Sequence, residues 1–248
     1  MPLVSTPAII LATHRYSETS KVVRLATREH GVQSAIAKGA MRPRSQFGAA
    51  LQVLSEGQAQ LLLSERRDLH TLTAFDLSHL PTTLSSNVAR YAAATALAEV
   101  MLRCSSTDPH PDAFEVLRLG IRKLEIAEPE ELSAQGIRSL WHLVSALGFA
   151  PAIARCVRDG REIPPGELPF SAEDGGALCP GCALGTEYPR LPPDAREALR
   201  ALADPGLPLP ALDDRHATAH RRLLARYVHY QLSDGGKLPA VDFWVGNG

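Results

Sequence analysis

Three of the four cysteines in this 248-residue chain fall within one short segment, at positions 156, 179 and 182. Cys179 and Cys182 are separated by two residues, and two thiolates at this spacing typically form one half of a tetrahedral zinc site. A four-cysteine ribbon would have a second such pair, but here Cys156 is followed by Asp159. The sequence therefore predicts a zinc site formed by Cys156, Cys179 and Cys182, with Asp159 as a candidate fourth ligand.

This zinc site has alternatives. His220, His229 or water could complete the ligand shell, or the segment could keep its fold without metal. A catalytic zinc of the nucleobase-deaminase kind is disfavoured, because none of the nine histidines has a glutamate two residues later. Cys104 stands apart from the group and is expected to be a small buried apolar residue.

A second group of candidate functional side chains is cationic and lies around a glycine turn. Lys38 precedes Gly39, two arginines follow it, and no carboxylate occurs between Glu29 and Glu56. Glycine lets the backbone approach a ligand closely, and a cationic loop between strands suits a phosphate backbone. The alternative interpretation is an ordinary solvated basic loop. We expect a phosphate track made of Lys21, Arg24, Lys38, Arg42 and Arg44, with Arg15 and Arg28 at its margin.

The charge distribution along the chain supports a basic front part. The formal net charge is only -1, but residues 1–80 contain nine Lys and Arg against six Asp and Glu. The remainder has 17 basic and 21 acidic residues, so the two parts are expected to have different roles. Near the loops only Tyr16 and Phe47 could stack on bases, which favours backbone contacts. A possible extension of the track contains Arg190, Arg196, Arg221, Arg222 and Arg226.

Several classes of function lack their motifs. The sequence has no P-loop, no dinucleotide-binding glycine motif and no nucleophile elbow, so we expect no nucleotide cofactor and no enzymatic activity. It also has no apolar run near the roughly 18 residues of a membrane span and no recognisable signal peptide. We therefore expect a cytoplasmic protein that does not bind membranes.

Apolar periodicity places these groups on a β-rich front part and a helical remainder. Alternating runs near 9–11, 22–25, 32–37, 51–54 and 59–63 predict five short strands, which suggest a small closed barrel such as the OB-fold. Beyond Pro81 the apolar spacing becomes helical, with helices expected in 82–150, 194–203 and 213–233. We expect Ser85 or Ser86 to cap the first helix, and Phe243-Trp244 to dock the tail.

The predicted fold class is α+β, with a five-stranded OB-fold barrel, an α-helical bundle and a zinc-ribbon-like insertion. The expected domains are an OB-fold nucleic-acid-binding domain in 1–80, a helical domain in 82–150 plus 194–248, and the insertion in 151–193.

The order of these modules and their residues resemble the RecO family of bacterial recombination mediators across nearly the whole chain. The N-terminal resemblance is carried by Ile10-Leu11, the YSETS sequence of 16–20, the segment from Leu25 to Gly31, the AKGA sequence of 37–40 with Arg42 and Ser45, and Leu51-Gln52. The C-terminal resemblance is carried by 222–230 (RLLARYVHY) and by the knuckle with Gly175, Gly176, Cys179 and Cys182. Asp159 departs from the four-cysteine version of the family's pattern.

The resemblance implies a function in DNA repair and recombination. It implies binding of single- and double-stranded DNA, annealing of complementary strands, and help in loading recombinase onto strands coated with single-strand binding protein (SSB). It also implies two partners, RecR and the acidic C-terminal tail of SSB, and no nucleotide hydrolysis. The other interpretations are a protein-interaction scaffold with incidental basic loops and an RNA-binding OB-fold protein.

Overall fold

The structure is a computed structural model that describes residues 2–64, 68–104, 108–185, 187–232 and 236–247. Arg66 and Arg67, which contribute to the predicted basic charge, lie outside the described residues, as does the side chain of Cys104. Within these ranges the chain forms a five-stranded barrel, a small three-stranded sheet and six α-helices. The predicted α+β class is confirmed.

The barrel is closed by five strands in the order β1-β2-β3-β5-β4, with β4 pairing back to β1. All its pairs are antiparallel except β3 with β5, which run parallel. This is an OB-like arrangement. The strands are β1 (Leu3–Arg15), β2 (Lys21–Thr27), β3 (Gly31–Ala37), β4 (Glu56–Leu62) and β5 (Leu69–His79).

Alternation along the strands explains why the barrel has two apolar faces. On β2, Val23 and Leu25 point into the barrel, while Ala26 belongs to the core outside it. Likewise on β1, Ile10 points inward and Ile9 outward. Successive side chains of a strand point to opposite faces, so one strand serves both cores.

The predicted strand at 51–54 is wrong. Residues 38–55 form a chain of turns, and Phe47 and Leu51, each 3% exposed, fill one end of the barrel interior. The apolar run is buried as a plug and not as a paired strand, and sequence periodicity cannot distinguish these. The fifth strand is β5, which the predicted runs did not cover.

Six helices follow the barrel in the described part of the chain. The predicted caps Ser85 and Ser86 lie instead in a short 3-10 turn, and Asn87 caps the first helix by accepting a hydrogen bond of 3.0 Å from the Arg90 N–H. The helices are α1 (Val88–Cys104), α2 (Pro111–Ile126), α3 (Leu132–Ala146), α4 (Pro193–Ala203), α5 (Asp214–Leu232) and α6 (Pro239–Asn247).

The tail packs on the helical body through Trp244, which is 2% exposed, whereas Phe243 is 48% exposed. Glu99 of α1 fixes the start of α6, because its Oε2 accepts hydrogen bonds from the N–H groups of Ala240 (2.7 Å) and Val241 (2.9 Å). A carboxylate at a helix N-terminus is favoured by the unpaired N–H groups and the helix dipole.

The barrel is joined to the helices by an apolar contact and ion pairs. Ile9, Ala26 and their neighbours share one core with α1. Glu56 at the start of β4 pairs with Arg122 of α2 at 2.9 Å. These contacts fix one side of the barrel against the helical body.

The segment between α3 and α4 contains a three-stranded sheet, in the order β7-β6-β8, which packs against α5. Its strands are β6 (Leu168–Ser171), β7 (Gly176–Ala177) and β8 (Arg190–Leu191). Gly176 is required because a Cβ there would lie 2.3 Å from the Ala152 carbonyl oxygen. The Tyr227 hydroxyl of α5 donates a hydrogen bond of 3.1 Å to the Phe149 carbonyl. Among the described residues, none of the helices combines the length and apolarity that crossing a membrane requires.

Replacing Phe47 by alanine tests the plug. We expect Phe47→Ala to lower the free energy of unfolding by about 3–5 kcal/mol, since a fully buried aromatic ring is lost. Phe243→Ala removes the same ring from a half-exposed site and should cost clearly less. Chemical denaturation of both variants measures the difference, and equal losses would show that Phe47 does not hold the barrel closed.

Candidate nucleic-acid interface and metal centre

The strand register brings part of the predicted track together at one end of the barrel. Arg15 at the end of β1 is paired with Lys21 at the start of β2, and Lys21 is paired with Ala37 at the end of β3. Lys38 follows immediately in the chain. Three cations that are up to 23 positions apart in sequence therefore lie along one edge of the barrel.

The loop after β3 adds Arg42 and Arg44 to the same end. Its turns are closed by backbone hydrogen bonds, including Met41 N–H to the Thr19 carbonyl at 3.0 Å, which attaches it to the β1–β2 turn. Gly39 has φ +73°, a conformation that favours glycine. Since the plug residue Phe47 anchors the far side of this loop, the backbone that carries both arginines is held in place.

These five residues, which we call the barrel-end cations, are Arg15, Lys21, Lys38, Arg42 and Arg44. Within the described residues no carboxylate lies within 4.0 Å of any of them. Four are exposed, while Lys21 is half-buried and its Nζ donates a hydrogen bond of 3.4 Å to the Leu51 carbonyl. Glu18 lies in the β1–β2 turn between Arg15 and Lys21, so the five cations outnumber the acid there and give an excess of positive charge that attracts polyanions.

Arg24 does not join the barrel-end cations. It lies mid-strand on β2, opposite Ser34 of β3, and points outward. Its buried Nε has no hydrogen-bond partner among the described residues. Burial, and secondly the charge of Arg103 on α1, hold the pKa of Arg24 below its usual value. The neighbour Arg103 was missed at the sequence level, because only tertiary packing brings α1 beside β2.

Arg28 also lies elsewhere. It follows β2 at the opposite end of that strand, and its Nε is 3.2 Å from Glu115 of α2. Its Nη1 is 3.7 Å from Oε1 of Glu29. Arg28 therefore forms an ion pair between the barrel and the helical body and lies away from the barrel-end cations.

The two aromatic residues near the loops differ in their exposure to solvent. Tyr16 is 62% exposed in the β1–β2 turn, whereas Phe47 is buried as the plug. Only Tyr16 of this pair could therefore stack on a base.

The arginines of the suggested extension divide into two kinds. Arg196 donates hydrogen bonds to the carbonyls of Pro164 (2.6 Å) and Ile163 (3.3 Å), and Arg221 is 6% exposed, so both hold the fold. The exposed ones are Arg190, Arg222 and Arg226.

The four predicted metal ligands converge. One ligand atom from each of Cys156, Asp159, Cys179 and Cys182 lies within 4.8 Å of the others. The thiols of Cys179 and Cys182 lie 3.3 and 3.4 Å from Asp159 Oδ2. Tetrahedral zinc with bonds of about 2.3 Å to sulfur and about 2.0 Å to oxygen would separate these atoms by about 3.5 Å, so the donor set fits a metal ion.

Two tight turns build this cluster. The Gly160 N–H donates to the Cys156 carbonyl at 2.9 Å, with Gly160 at φ +73°. The second turn is the knuckle, in which the Cys182 N–H points at the Cys179 sulfur at 3.4 Å. The alternative ligands lie in other contacts: His229 is 2.8 Å from Asp242, and His220 is buried on α5.

The electrostatics of the cluster favour a bound cation. Burial raises the pKa of the Cys156 thiol, but N–H groups of residues 158, 159 and 179 outweigh it and lower the pKa below its ordinary value. The hydrogen bond with Cys179, followed by burial and Asp159, raises the pKa of Cys182 to about 12. The Arg161 N–H and then Cys156 lower the pKa of Asp159 to about 2. Without a cation the group cannot ionise fully, and a metal removes that obstacle.

The neighbouring Arg158 supports the cluster from outside. It forms a bidentate pair with Asp174, at 3.0 and 2.8 Å, and donates a hydrogen bond to the Cys182 carbonyl at 3.1 Å. This joins the knuckle to the turn between β6 and β7. No local pattern of residues predicted this contact.

Comparisons with known proteins agree with this architecture. The family model "Recombination protein O N terminal" matches residues 1–81, and "Recombination protein O C terminal" matches residues 85–238. A DNA repair protein RecO from Symbiobacterium thermophilum is 33% identical over 208 residues, covering 82% of this chain and 81% of the relative. A DNA repair protein RecO from Anaeromyxobacter sp. (strain K) is 31% identical over 203 residues, covering 82% and 78%. One from Nocardioides sp. is 33% identical over 184 residues, covering 71% and 73%.

Removal of a ligand tests the metal centre. We expect Cys179→Ser to lose most of its bound metal, and Asp159→Asn to release metal to a chelator faster than the unsubstituted protein, because each loses an anionic donor. Asp159→Cys should release it more slowly, since a thiolate binds zinc more strongly than a carboxylate. Metal analysis and chelator-transfer rates measure both effects.

Glu162→Gln is the control, because this exposed residue lies in the same segment outside the ligand group. Protein purified from zinc-supplemented cells with no stoichiometric metal would contradict the assignment.

Proposed function

Because the chain belongs to the RecO family of DNA repair proteins, we propose that it binds single- and double-stranded DNA and anneals complementary strands. We further propose that it helps to load recombinase onto SSB-coated single strands, without catalysing a reaction. The observation that carries this proposal is the convergence of the five barrel-end cations on one end of the barrel, where none of them forms an ion pair within 4.0 Å in the described structure.

Binding at the barrel end would be driven by the phosphate backbone. Each neutralised phosphate releases condensed counterions, so the affinity should depend steeply on salt and little on sequence. Of the two aromatic rings near the barrel-end cations, only Tyr16 is exposed, so base stacking contributes little at this end of the barrel. Phosphates are shared by single strands and duplexes, which supports binding of both.

Annealing requires that two polyanions approach each other. A cationic surface reduces the repulsion between their phosphates and raises their local concentration, so no covalent step or nucleotide is needed. The lack of a P-loop in the sequence is consistent with this mechanism.

The metal centre is proposed to be a structural zinc site held by Cys156, Cys179, Cys182 and Asp159. When bound, zinc would cross-link the turn after Cys156 to the knuckle and so order the small sheet. All four positions are filled by protein atoms, which is typical of a structural and not of a catalytic site.

For partners we propose RecR and the acidic C-terminal tail of SSB, and for location the cytoplasm at the nucleoid. Family membership alone supports these partners, and DNA as the substrate supports the location.

Reversing two charges of the barrel end tests the proposal. We expect the double variant Lys38→Glu, Arg42→Glu to flatten the slope of log affinity against log salt by about 2, because about one unit is lost per phosphate contact. The control, Lys123→Glu with Arg200→Glu, makes the same charge change at exposed helical positions and should leave the slope nearly unchanged. Fluorescence anisotropy with random single strands and duplexes measures both.

An unchanged slope would remove the barrel end from the DNA interface. No mobility shift with random single strands at low ionic strength would instead favour a protein scaffold. Strong preference for RNA over a DNA strand of equal length would favour an RNA-binding protein, since a phosphate reader should bind both similarly.

A further inference from the structure

A cavity of about 350 Å³ lies between β8, α4 and α5. Its walls are mainly apolar and include Leu191, Ala195, Ala219 and Leu223. Apolar walls provide no ligand atoms for a small hydrated ion. They favour a flat or apolar group that gains by leaving water.

The rim of this cavity is cationic. Arg190 comes from β8, and Arg222 and Arg226 come from successive turns of α5. In the described part of the chain none of these three has a carboxylate within 4.0 Å. The Arg226 guanidinium lies over the Tyr230 ring, 5.8 Å from its centroid. The cavity therefore suits a ligand with an apolar part and several anionic groups.

The floor of the cavity is uncharged at neutral pH. His220, which lines it, is 3% exposed, and neither ring nitrogen has a hydrogen-bond partner among the described residues. Burial, and secondly the charge of His216, lower the pKa of His220 to about 4. His216, which also lines the cavity, is already paired with Asp194 at 3.4 Å and Asp213 at 2.8 Å. A carboxylate would thus find unpaired cations only among the arginines of the rim, which makes the interior a poor site for an acidic side chain.

The spacing of the rim matches a nucleic-acid strand. Arg222 and Arg226 are four residues apart on a helix, or about 6 Å along its axis. Successive phosphates of one strand are about 3.4 Å apart along a duplex and farther apart in an extended strand. Neighbouring phosphates could therefore contact the two arginines while the base between them turns toward the cavity.

We infer that this groove is a second nucleic-acid site, which takes one unstacked base of a single strand and binds the flanking phosphates with Arg190, Arg222 and Arg226. This inference rests on the proposed DNA-binding function and adds strand selectivity to it. A paired base in a duplex cannot enter the cavity without breaking its base pair and leaving its stack, which is unfavourable. The groove would hold a single strand while the barrel end accepts either form.

Comparison of a normal oligonucleotide with an abasic one tests the inference. Both would be about 20 nucleotides long, which exceeds the usual site size of an OB domain. We expect the unsubstituted protein to bind the base-containing strand at least about 5-fold more tightly, because stacking contributes that much or more per base. Anisotropy titrations at one salt concentration measure the ratio.

Filling the cavity should reduce this preference. Ala219→Trp places a large ring at the groove without changing charge, so the base-to-abasic ratio should fall to the part that stacking on the exposed Tyr16 supports, while the salt slope is retained. Ala211→Trp adds the same ring at an exposed loop position and should keep the ratio. Thermal melting checks that both variants fold, and a strand containing 2-aminopurine reports base unstacking directly through its fluorescence.

Removing a rim charge separates phosphate from base contacts. Arg222→Gln should flatten the salt slope by about 1 with single strands, whereas Arg215→Gln, on the same helix but outside the cavity lining, should change it less. If Ala219→Trp fails to fold, Arg222→Gln and the 2-aminopurine signal of the unsubstituted protein still decide the question.

Equal affinity for base-containing and abasic strands, or an unchanged ratio in folded Ala219→Trp, would overturn the inference. An acidic, aromatic peptide that displaces the strand from the unsubstituted protein but not from Ala219→Trp would also overturn it, because the groove would then be a protein-docking site. The proposed function fails separately, if the double variant Lys38→Glu, Arg42→Glu leaves the salt slope unchanged.

Discussion

The closing of one barrel end by Phe47 and Leu51 is the constraint on which the candidate interface depends. A five-stranded barrel of small strands leaves an apolar interior open at its ends, and these two side chains exclude water from one of them. The same segment carries Arg42 and Arg44 at its beginning. The buried plug and the exposed arginines therefore lie within fewer than fifteen residues of each other. Packing of the plug orders the backbone that carries the arginines.

The contact between the barrel and the helical body sorts the basic residues by role. Arg28 pairs with Glu115 across this contact, and Arg122 of the body pairs with Glu56 of the barrel. Ion pairs thus join the two parts where they meet, whereas the five cations at the opposite barrel end form no ion pair in the described structure and have Glu18 in the turn between Arg15 and Lys21. A long-range field that attracts polyanions needs this kind of segregation more than it needs a large net charge, and the net charge here is -1.

The candidate metal centre and the groove between α4 and α5 share the small sheet. The Cys179–Cys182 knuckle follows β7, while β8 supplies Arg190 to the rim of the groove. Tyr227 of α5 donates to the Phe149 and Gly175 carbonyls, at 3.1 and 3.4 Å, so this sheet is also fixed to the helix that carries Arg222 and Arg226. A metal ion that orders the turns would therefore also influence the position of the groove's walls.

The sequence by itself determined the α+β class, the helical remainder and a four-residue group that could hold a metal ion. The first two follow from periodicity, which is local, and the last from cysteine spacing together with Asp159. It misplaced the strand at 51–54, because burial as a plug and burial in a paired strand leave the same apolar pattern. It also grouped Arg24 and Arg28 with Lys38, although they face α1 and α2. Only the tertiary structure decided which cations share a surface, because strand register and helix packing, not distance along the chain, set the direction of each side chain.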